Sequence, residues 1–551
     1  MRVWNLTELI RVNTFIALLL FASNDCLHAQ DSSYPWFYRV YFLDKGTNST
    51  AGFSATDLLS SRAIARRQKA SIVVPDIRDI PVDKSYLNEI SSLGLTLHTT
   101  SKWMNTALFK STSAFDIQQL LDLPFISDVR IVRNPGKKRP GNKLDYELSQ
   151  DDPPPYDRPL TMVNGTALHN AGFTGKDILI AVLDGGFINA DKISSLSGLR
   201  ARNGIRGTRD FVNNAGSVYN THNHGTAVLS VLAGDIPGII RGTSPGADYL
   251  LLKTEDPLSE FPCEEDFWAA GAEYADSAGA DIISSSLGYF QFDDSTLNYK
   301  ISDLDGNSSF VTRAADIAAS KGILVVNSAG NERNGNWKYI TFPSDGDSVL
   351  SAGAVDGNTL IAGFSSVGLS ADRRIKPDNV AMGVSVPVQV VENSTGRANG
   401  TSFSCPVLSG MAACLMQAVP AAVNYDIISV MHSGADRYNS PDSLYGYGIP
   451  DMVKALTALK DMYTRIPEHD AIISPNPTFG YFEIIFHDPP GNVTIEIFTL
   501  TGKLITRKDF SNYMQRTMFL TDLQQREQGV YLVRISTTSG ITVHKIIKLR
   551  N

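Results

Sequence analysis

Three short stretches, far apart in the sequence, carry the side chains that hydrolysis by an activated serine needs. The first ends an apolar run at Asp184, the second places His224 before another apolar run, and the third places Ser402 after Gly400 and Thr401. A carboxylate can hold an imidazole in one tautomer, and that imidazole can take the proton of a serine hydroxyl as it attacks a carbonyl carbon. These residue types therefore predict nucleophilic catalysis through a covalent serine intermediate.

A fourth polar side chain, Asn331, lies between the last two stretches and follows an apolar run that reads as a buried strand. Its amide can donate a hydrogen bond to the negative oxygen of a tetrahedral intermediate. The backbone N–H of Ser402 is expected to be a second donor, at the start of a helix that has Pro406 in its first turn. Together these two donors predict an oxyanion site.

Each of these residues also has a simpler structural explanation. Asp184 can be an acidic turn residue, Ser402 a helix N-cap and Asn331 a turn asparagine. His222 is a rival to His224, which we prefer because Gly225 and Thr226 follow it and allow close helix packing. Four such residues at the ends of the right elements favour a catalytic explanation over four coincidences.

Residues 151–465 are expected to form the domain that positions these side chains. Apolar runs alternate with helical stretches, and their nearly continuous apolar character indicates a parallel sheet covered on both faces. Ligands of such sheets bind beyond the carboxyl ends of the strands, where Asp184 lies. The predicted strands are 178–183, 249–253, 281–285, 323–327 and 348–355.

Three further segments flank this domain. Residues 1–29 are predicted to be a secretory signal, since the apolar run Thr14–Ala22 is too short for the alternative of a membrane anchor. Residues 30–150 are predicted to be a small α+β unit followed by a linker rich in proline, glycine and charge. Residues 466–551 show short alternating strands and predict a small β-sandwich.

The overall charge and the cysteines limit the functional classes. The net charge of −8 and the lack of a long basic run argue against a nucleic-acid partner. Cys26 is expected to leave with the signal. Cys405 and Cys414 are predicted to lie on one helix, too far apart for a disulfide. A bridge from Cys263 to either stays open, although small buried apolar residues are the favoured interpretation.

On these stretches, residues 156–460 resemble the subtilisin-like serine peptidases, whose catalytic residues follow the same documented order of Asp, His and Ser. The resemblance implies a three-layer α/β fold and a serine endopeptidase in which Asp184, His224 and Ser402 are catalytic and Asn331 is an oxyanion donor. It also implies that Ser286-Leu287-Gly288 binds extended substrate backbone. Substrates would be proteins or peptides.

Some residues depart from the pattern of that family. Gly185 stands where a hydroxyl residue is usual, Ala227 replaces a second histidine, and Phe403-Ser404 replaces Met-Ala. None of these changes removes a catalytic group, but Gly185 leaves the positioning of Asp184 open.

No metal or cofactor is expected in the catalytic chemistry. The family often binds structural calcium, for which the loop 234–238 offers only Asp235. A second loop, Asp303-Leu-Asp305-Gly-Asn307, is an alternative calcium site, although a solvated turn is favoured there.

The flanking units also resemble known domains. Residues 30–150 resemble inhibitory, fold-assisting propeptides, with a cut expected between 134 and 158 and the basic triplet 137–139 as one option. The last unit resembles the C-terminal sorting domains of the Bacteroidetes-type (type IX) secretion system through Pro475-Asn476-Pro477, Gly529-Val-Tyr531 and Lys545–Lys548. The chain's own propeptide and a secretion machinery are thus expected partners, and the location would be secreted or cell-surface, reached through the periplasm.

The same residues argue against three other functions. A non-catalytic surface binding protein on a peptidase scaffold is the main alternative, and the complete set of four side chains argues against it. A related peptidase class with an acidic base is disfavoured by His224 and Asn331, and an α/β-hydrolase esterase by the absence of Gly-x-Ser-x-Gly around Ser402. Pocket walls are expected near 286–290 and 328–345, with 289–309 as an insertion beside the cleft, but no side-chain preference follows.

Overall fold

The computed structural model describes residues 34–70, 72–137, 143–144, 146, 154–464 and 471–549. The predicted signal, residues 1–29, lies outside this range, as do Lys138 and Arg139 of the basic triplet. In the described part of the chain, none of the helices combines the length and the apolar character that crossing a bilayer requires.

The first unit is an antiparallel sheet of four strands in the spatial order β2-β3-β1-β4. The helical stretch over 55–69 is divided in two, because the Ser60 side chain accepts a hydrogen bond from the Ala63 N–H and starts a new helix. The elements are β1 (Trp36–Phe42), α1 (Ala55–Leu58), α2 (Ser61–Lys69), α3 (Lys84–Ser92), β2 (Thr96–Ser101), β3 (Thr106–Ser111), α4 (Gln118–Leu121) and β4 (Ile126–Arg133).

Strand β1 joins this unit to the domain that follows. Tyr38 and Val40 belong to the unit's own apolar core, whereas Phe37 packs into a core shared with the next domain. Alternate residues of a strand point to opposite faces, so one strand serves both cores. The small unit is therefore folded on itself and docked at the same time.

The central domain contains a seven-stranded sheet in which every neighbouring pair is parallel, in the order β13-β12-β11-β10-β5-β9-β6. The strands are β5 (Leu179–Asp184), β6 (Ile205–Asp210), β9 (Asp248–Lys253), β10 (Ile282–Ser285), β11 (Leu324–Ser328), β12 (Val349–Val355) and β13 (Asn379–Met382). Two short antiparallel hairpins accompany them, β7 (Asp235–Ile236) with β8 (Ile240–Arg241) and β14 (Val386–Val391) with β15 (Ser394–Ala398).

The five strands predicted for this domain are all present, but the two edge strands were missed. Residues 205–210 are mostly exposed or half-exposed, and 379–382 form only four residues of strand. Strand β6 therefore lacks the continuous apolar run by which the inner strands were found, whereas β13 is buried but too short for such a run.

Helices cover both faces of this sheet. One apolar core contains α8 and α11 with strand residues such as Ile180 and Val182, and the other contains α9 and α10 with Ala181 and Leu183. This three-layer arrangement is the predicted fold class. The helices are α5 (Arg158–Met162), α6 (Gly165–Asn170), α7 (Ser197–Ala201), α8 (His224–Ala233), α9 (Cys263–Ala278), α10 (Phe310–Ser320), α11 (Thr401–Ala418), α12 (Asn424–Ser433) and α13 (Met452–Thr464).

The last unit consists of two antiparallel sheets around a core of its own. It confirms the predicted β-rich unit. The strands are β16 (Ala471–Ser474), β17 (Phe482–Phe486), β18 (Gly491–Thr499), β19 (Leu504–Tyr513), β20 (Thr517–Leu520), β21 (Gly529–Thr537) and β22 (Gly540–Lys548).

The three described cysteines are buried and free. Cys405 and Cys414 lie on helix α11, as predicted, and Cys263 begins α9. The bridge that the sequence left open is therefore not formed.

Candidate active site

Asp184 and His224 form a buried hydrogen-bonded pair. Asp184 is the last residue of β5 and His224 the first of α8, and His224 Nδ1 lies 2.8 Å from Asp184 Oδ1 and 2.9 Å from Oδ2. With Nδ1 donating to the carboxylate, Nε2 is left as the basic nitrogen. The rival His222 instead accepts a hydrogen bond at Nδ1 from the His224 backbone N–H, 3.1 Å away.

Gly185 does not disturb the carboxylate that it follows. Its backbone N–H donates to Asp184 Oδ1 over 2.7 Å. A Cβ at Gly185 would overlap the side chain of Leu144, which comes from the linker after the first unit. The missing side chain therefore makes room for a residue in the cleft.

Ser402 lies in the first turn of helix α11, which begins at Thr401. Pro406 consequently lies in the second turn, not in the first as predicted. Because proline has no backbone N–H, the Ser402 carbonyl lacks its partner four residues on. The hydroxyl of Ser286, just beyond β10, donates to that carbonyl over 2.9 Å. The proline and Ser286 thus tie the start of the helix to the neighbouring strand end.

The Ser402 hydroxyl itself donates to the Ser286 carbonyl at 3.4 Å. Among the described hydrogen bonds there is none that joins Ser402 directly to His224. Both side chains nevertheless line one cleft of roughly 760 Å³, and the Phe403 ring lies 6.0 Å from the His224 ring. The predicted nucleophile and the predicted base thus line the same cavity.

Asn331 lies on the same cleft and is held by the residue before the serine. Its Oδ1 accepts hydrogen bonds from the backbone N–H and the hydroxyl of Thr401, each over 2.9 Å. With the oxygen occupied in this way, the amide NH₂ is the end left for the cleft. Thr401 is a positioning residue that the sequence analysis did not single out, although its place beside Ser402 was visible.

Ser286, Leu287 and Gly288 form the next part of the cleft wall, immediately after β10 ends at Ser285. The Leu287 carbonyl accepts from the amide of Asn327 over 2.9 Å, which fixes this segment to β11. The predicted insertion also reaches the cleft, through Phe290–Asp293.

Three described residues of the linker after the first unit, Lys143, Leu144 and Tyr146, lie in the cleft. The ring of Tyr146 lies 5.8 Å from that of His224 and 5.6 Å from that of Phe403, close to edge-on in both cases. Burial, with the nearby Asp184 carboxylate, raises the pKa of Tyr146 to about 12, so its phenol is neutral. Lys143 and Leu144 line the same cavity. The His224 side of the cleft is therefore covered by Tyr146 of the chain's own linker.

The structure includes both loops in which a calcium site is conceivable, 234–238 and 303–307. Asp235 belongs to the short hairpin β7–β8. The Asp305 carboxylate accepts hydrogen bonds from the N–H groups of Asn307 (2.8 Å) and Ser308 (2.7 Å), which is the pattern of a turn.

Comparison with known proteins identifies the domain that holds this site. Residues 175–448 match the model of the subtilase family. The domain is a subtilase. The chain is 28% identical to Subtilisin amylosacchariticus of Bacillus subtilis subsp. amylosacchariticus over 293 residues, which are 53% of this chain and 68% of that protein. It is 29% identical to Subtilisin Savinase of Lederbergia lenta over 291 residues, which are 53% of this chain and 94% of that protein.

The units on either side of the subtilase domain also match family models. Residues 37–145 match the peptidase S8 propeptide domain of Bacteroidota, and residues 473–549 match a secretion system C-terminal sorting domain. The chain is thus a serine peptidase precursor that carries a propeptide and a sorting domain for export.

Proposed function

We propose that this subtilase is an exported endopeptidase that hydrolyses peptide bonds through an acyl-enzyme on Ser402. The observation that carries the proposal is the buried Asp184–His224 pair, whose imidazole opens on a cleft shared with Ser402 and Asn331. The subtilase match of residues 175–448 supports the same chemistry independently of that geometry.

Each side chain has one role in the proposed reaction. His224 Nε2 takes the proton of the Ser402 hydroxyl and later gives it to the leaving amine, while Asp184 holds the imidazole and stabilises its cation. The Asn331 amide and the Ser402 backbone N–H donate to the oxyanion. Water then attacks the acyl-enzyme by the reverse route, and the reaction requires no metal or cofactor.

In this proposal, the Ser402 hydroxyl has the orientation of an inactive precursor without substrate. The hydroxyl points to the Ser286 carbonyl at 3.4 Å, which is a long bond for an O–H donor. We expect it to turn to His224 Nε2 when a substrate carbonyl enters, because catalytic hydrogen bonds often tighten only in the substrate complex. Ser286-Leu287-Gly288 would then bind the extended substrate backbone.

The division of labour along the chain follows from the same proposal. Residues 1–29 would direct export, 30–150 would inhibit and assist folding, 151–465 would catalyse, and 466–551 would deliver the protein to the surface or the medium through a type IX system. Passage through the periplasm is implied by that route. The sorting and propeptide matches support this scheme.

Labelling with a fluorophosphonate tests the catalytic proposal. The processed enzyme is expected to be labelled with and without EDTA, and Ser402→Ala to lose both the label and the hydrolysis of a casein substrate. Ser404→Ala is the matched control, since this buried serine two residues along α11 bonds only to the Thr401 carbonyl in the described network. An unlabelled wild type, or a labelled Ser402→Ala, would contradict the proposal and favour a non-catalytic binding protein.

A further inference from the structure

Three glutamates converge at one end of the catalytic cleft. Glu255 follows β9, Glu260 lies in the next loop and Glu264 is in the first turn of α9, and one carboxylate oxygen of each lies within 4.8 Å of the others. The side chains of Glu255 and Glu264 are only 3% and 1% exposed. Three carboxyl groups so close and so buried must either bind a cation or take up protons.

The cation in this structure is a lysine side chain from the linker. Lys143 Nζ is paired with Glu255, lies 2.8 Å from Glu260 Oε2 and donates to both oxygens of Glu264 over 2.7 Å. Its backbone N–H also donates to the Pro257 carbonyl over 3.3 Å. The contact is thus made by main chain and side chain together, as a bound peptide would make it.

One carboxylate oxygen of the pocket can still accept a hydrogen bond. Glu260 Oε1 is buried and has no hydrogen-bond partner among the described residues. The other two carboxylates are already used in part by the protein, because Tyr289 donates to Glu255 (2.7 Å) and the Phe261 N–H donates to Glu264 (3.0 Å). Glu260 is therefore the member least committed to the fold and most available to an incoming donor.

The pocket is continuous with the catalytic centre. Leu144 follows Lys143 and covers Gly185, beside Asp184, and Tyr146 lies against the His224 ring. The backbone from Lys143 to Tyr146 spans at most about 11 Å, so the residue in the pocket and the residue beside His224 are no farther apart than that along the chain. Lys143 precedes Tyr146, the residue that lies against His224. In a substrate whose chain runs in the same direction, the residue bound in this pocket would therefore lie N-terminal to the bond that is cut.

We infer that, once the linker has left, the pocket formed by Glu255, Glu260 and Glu264 takes the lysine or arginine side chain of a substrate, two to four residues N-terminal to the bond that is cut. The inference rests on the proposed peptidase function and names its substrate class as peptides with a basic residue at that position. Lys143 is then the precursor's own occupant of a specificity pocket. A peptide cation and a divalent metal ion could both neutralise the three carboxylates, and the main-chain bond of Lys143 favours the peptide.

Peptide pairs measure this specificity. The processed enzyme from the full-length chain is given fluorogenic peptides that differ only in Lys or Met two, three or four residues before the scissile bond. The Lys peptide is expected to have a kcat/KM about tenfold higher at one of these positions. In Glu260→Gln the Lys-to-Met ratio of kcat/KM should fall below about threefold. Glu260→Lys should prefer a third peptide, with Glu at the same position, over the Lys peptide. Glu392→Gln, an exposed control, should keep the wild-type ratio.

Two results would overturn the inference. The first is an equal kcat/KM for Lys and Met peptides at all three positions. The second is a fall in melting temperature on EDTA treatment that Glu260→Gln abolishes, because it would assign the pocket to a divalent cation. Fluorophosphonate labelling and hydrolysis of the Met peptide report on the proposed function alone, so its failure can be told from a failure of the pocket.

Discussion

At the scale of single residues, the site depends on side chains that hold other side chains. Thr401 occupies the oxygen of Asn331, and Ser286 occupies the Ser402 carbonyl that Pro406 leaves without a donor. A buried carbonyl without a partner costs about 1–3 kcal/mol, so such bonds keep the start of α11 in place as well as the nucleophile. The roles of the reacting groups therefore rest on neighbours that do no chemistry themselves.

Replacing Asn331 with leucine should lower kcat by about 10²–10³ and change KM little. The magnitude is that found on removing the oxyanion amide of a subtilisin, a relative of this chain. The amide is expected to act on the charged oxygen of the transition state and not on the bound substrate. Steady-state kinetics on one peptide measures both constants. Asn334→Leu, an exposed asparagine on the same cleft, is the control and should stay near wild type.

The preference for a basic residue should increase with pH. Burial raises the pKa of Glu260 to about 8, although the Lys143 ammonium opposes this rise; Glu255 and Asp293 reinforce it. That value belongs to the precursor, in which Lys143 lowers the pKa; once the linker has left, the carboxyl gains its charge at a still higher pH. The Lys-to-Met ratio of kcat/KM is expected to rise from pH 6 to pH 9, and the ratio in Glu260→Gln to change less. A ratio that falls over this range would contradict the assignment.

At the scale of elements, strand β1 of the propeptide and helix α9 of the peptidase meet in a buried ion pair. Arg39 on β1 has its Nε 2.9 Å from both carboxylate oxygens of Asp266 on α9, and its Nη2 donates to the Pro262 carbonyl over 2.7 Å. The guanidinium also lies 3.7 Å from the centre of the Phe310 ring. Arg39 is buried, and the carboxylate of Asp266 balances its charge only while the two domains stay together.

Arg39→Leu should weaken binding of the propeptide, because it leaves Asp266 buried without its cation. Loss of one partner of a buried pair costs about 2–5 kcal/mol, which is an increase in Ki of at least about thirtyfold. The measurement is inhibition of the mature enzyme by the propeptide unit, which has an apolar core of its own. Arg130→Leu is the control, since the Arg130 side chain is 63% exposed and pairs only with Asp128 in the described ion pairs. Equal Ki values for the two variants would refute the role of Arg39.

At the scale of the whole molecule, the C-terminal sandwich has an apolar core separate from the cores of the propeptide and peptidase domains. The C-terminal sandwich buries its apolar side chains in a core that contains only residues of 471–546. The catalytic domain likewise contains all four candidate catalytic and oxyanion residues within the subtilase match. Export and catalysis can therefore be separated by cutting the chain between them.

A variant that ends at Thr464, the last residue of α13, should keep its catalytic activity and lose its export. A domain with its own core is expected to fold without its neighbour. The kcat/KM of the purified variant should stay close to that of the full chain, while immunodetection in a Bacteroidota host should find it inside the cells and not in the medium or on the surface. An inactive but soluble variant would show that the sandwich supports the peptidase fold.

The sequence by itself determined the kind of sheet and singled out the four residues that we propose do the chemistry. The four candidate residues, Asp184, His224, Ser402 and Asn331, lie at strand ends and helix starts. A few neighbouring residues are enough to mark such positions, and these local patterns predicted the inner strands within one or two residues. Tertiary structure alone decided the bond between Ser286 and Ser402, 116 residues apart, and the meeting of Lys143 with three glutamates. Such contacts depend on strand order and on loop paths, which short-range periodicity does not encode.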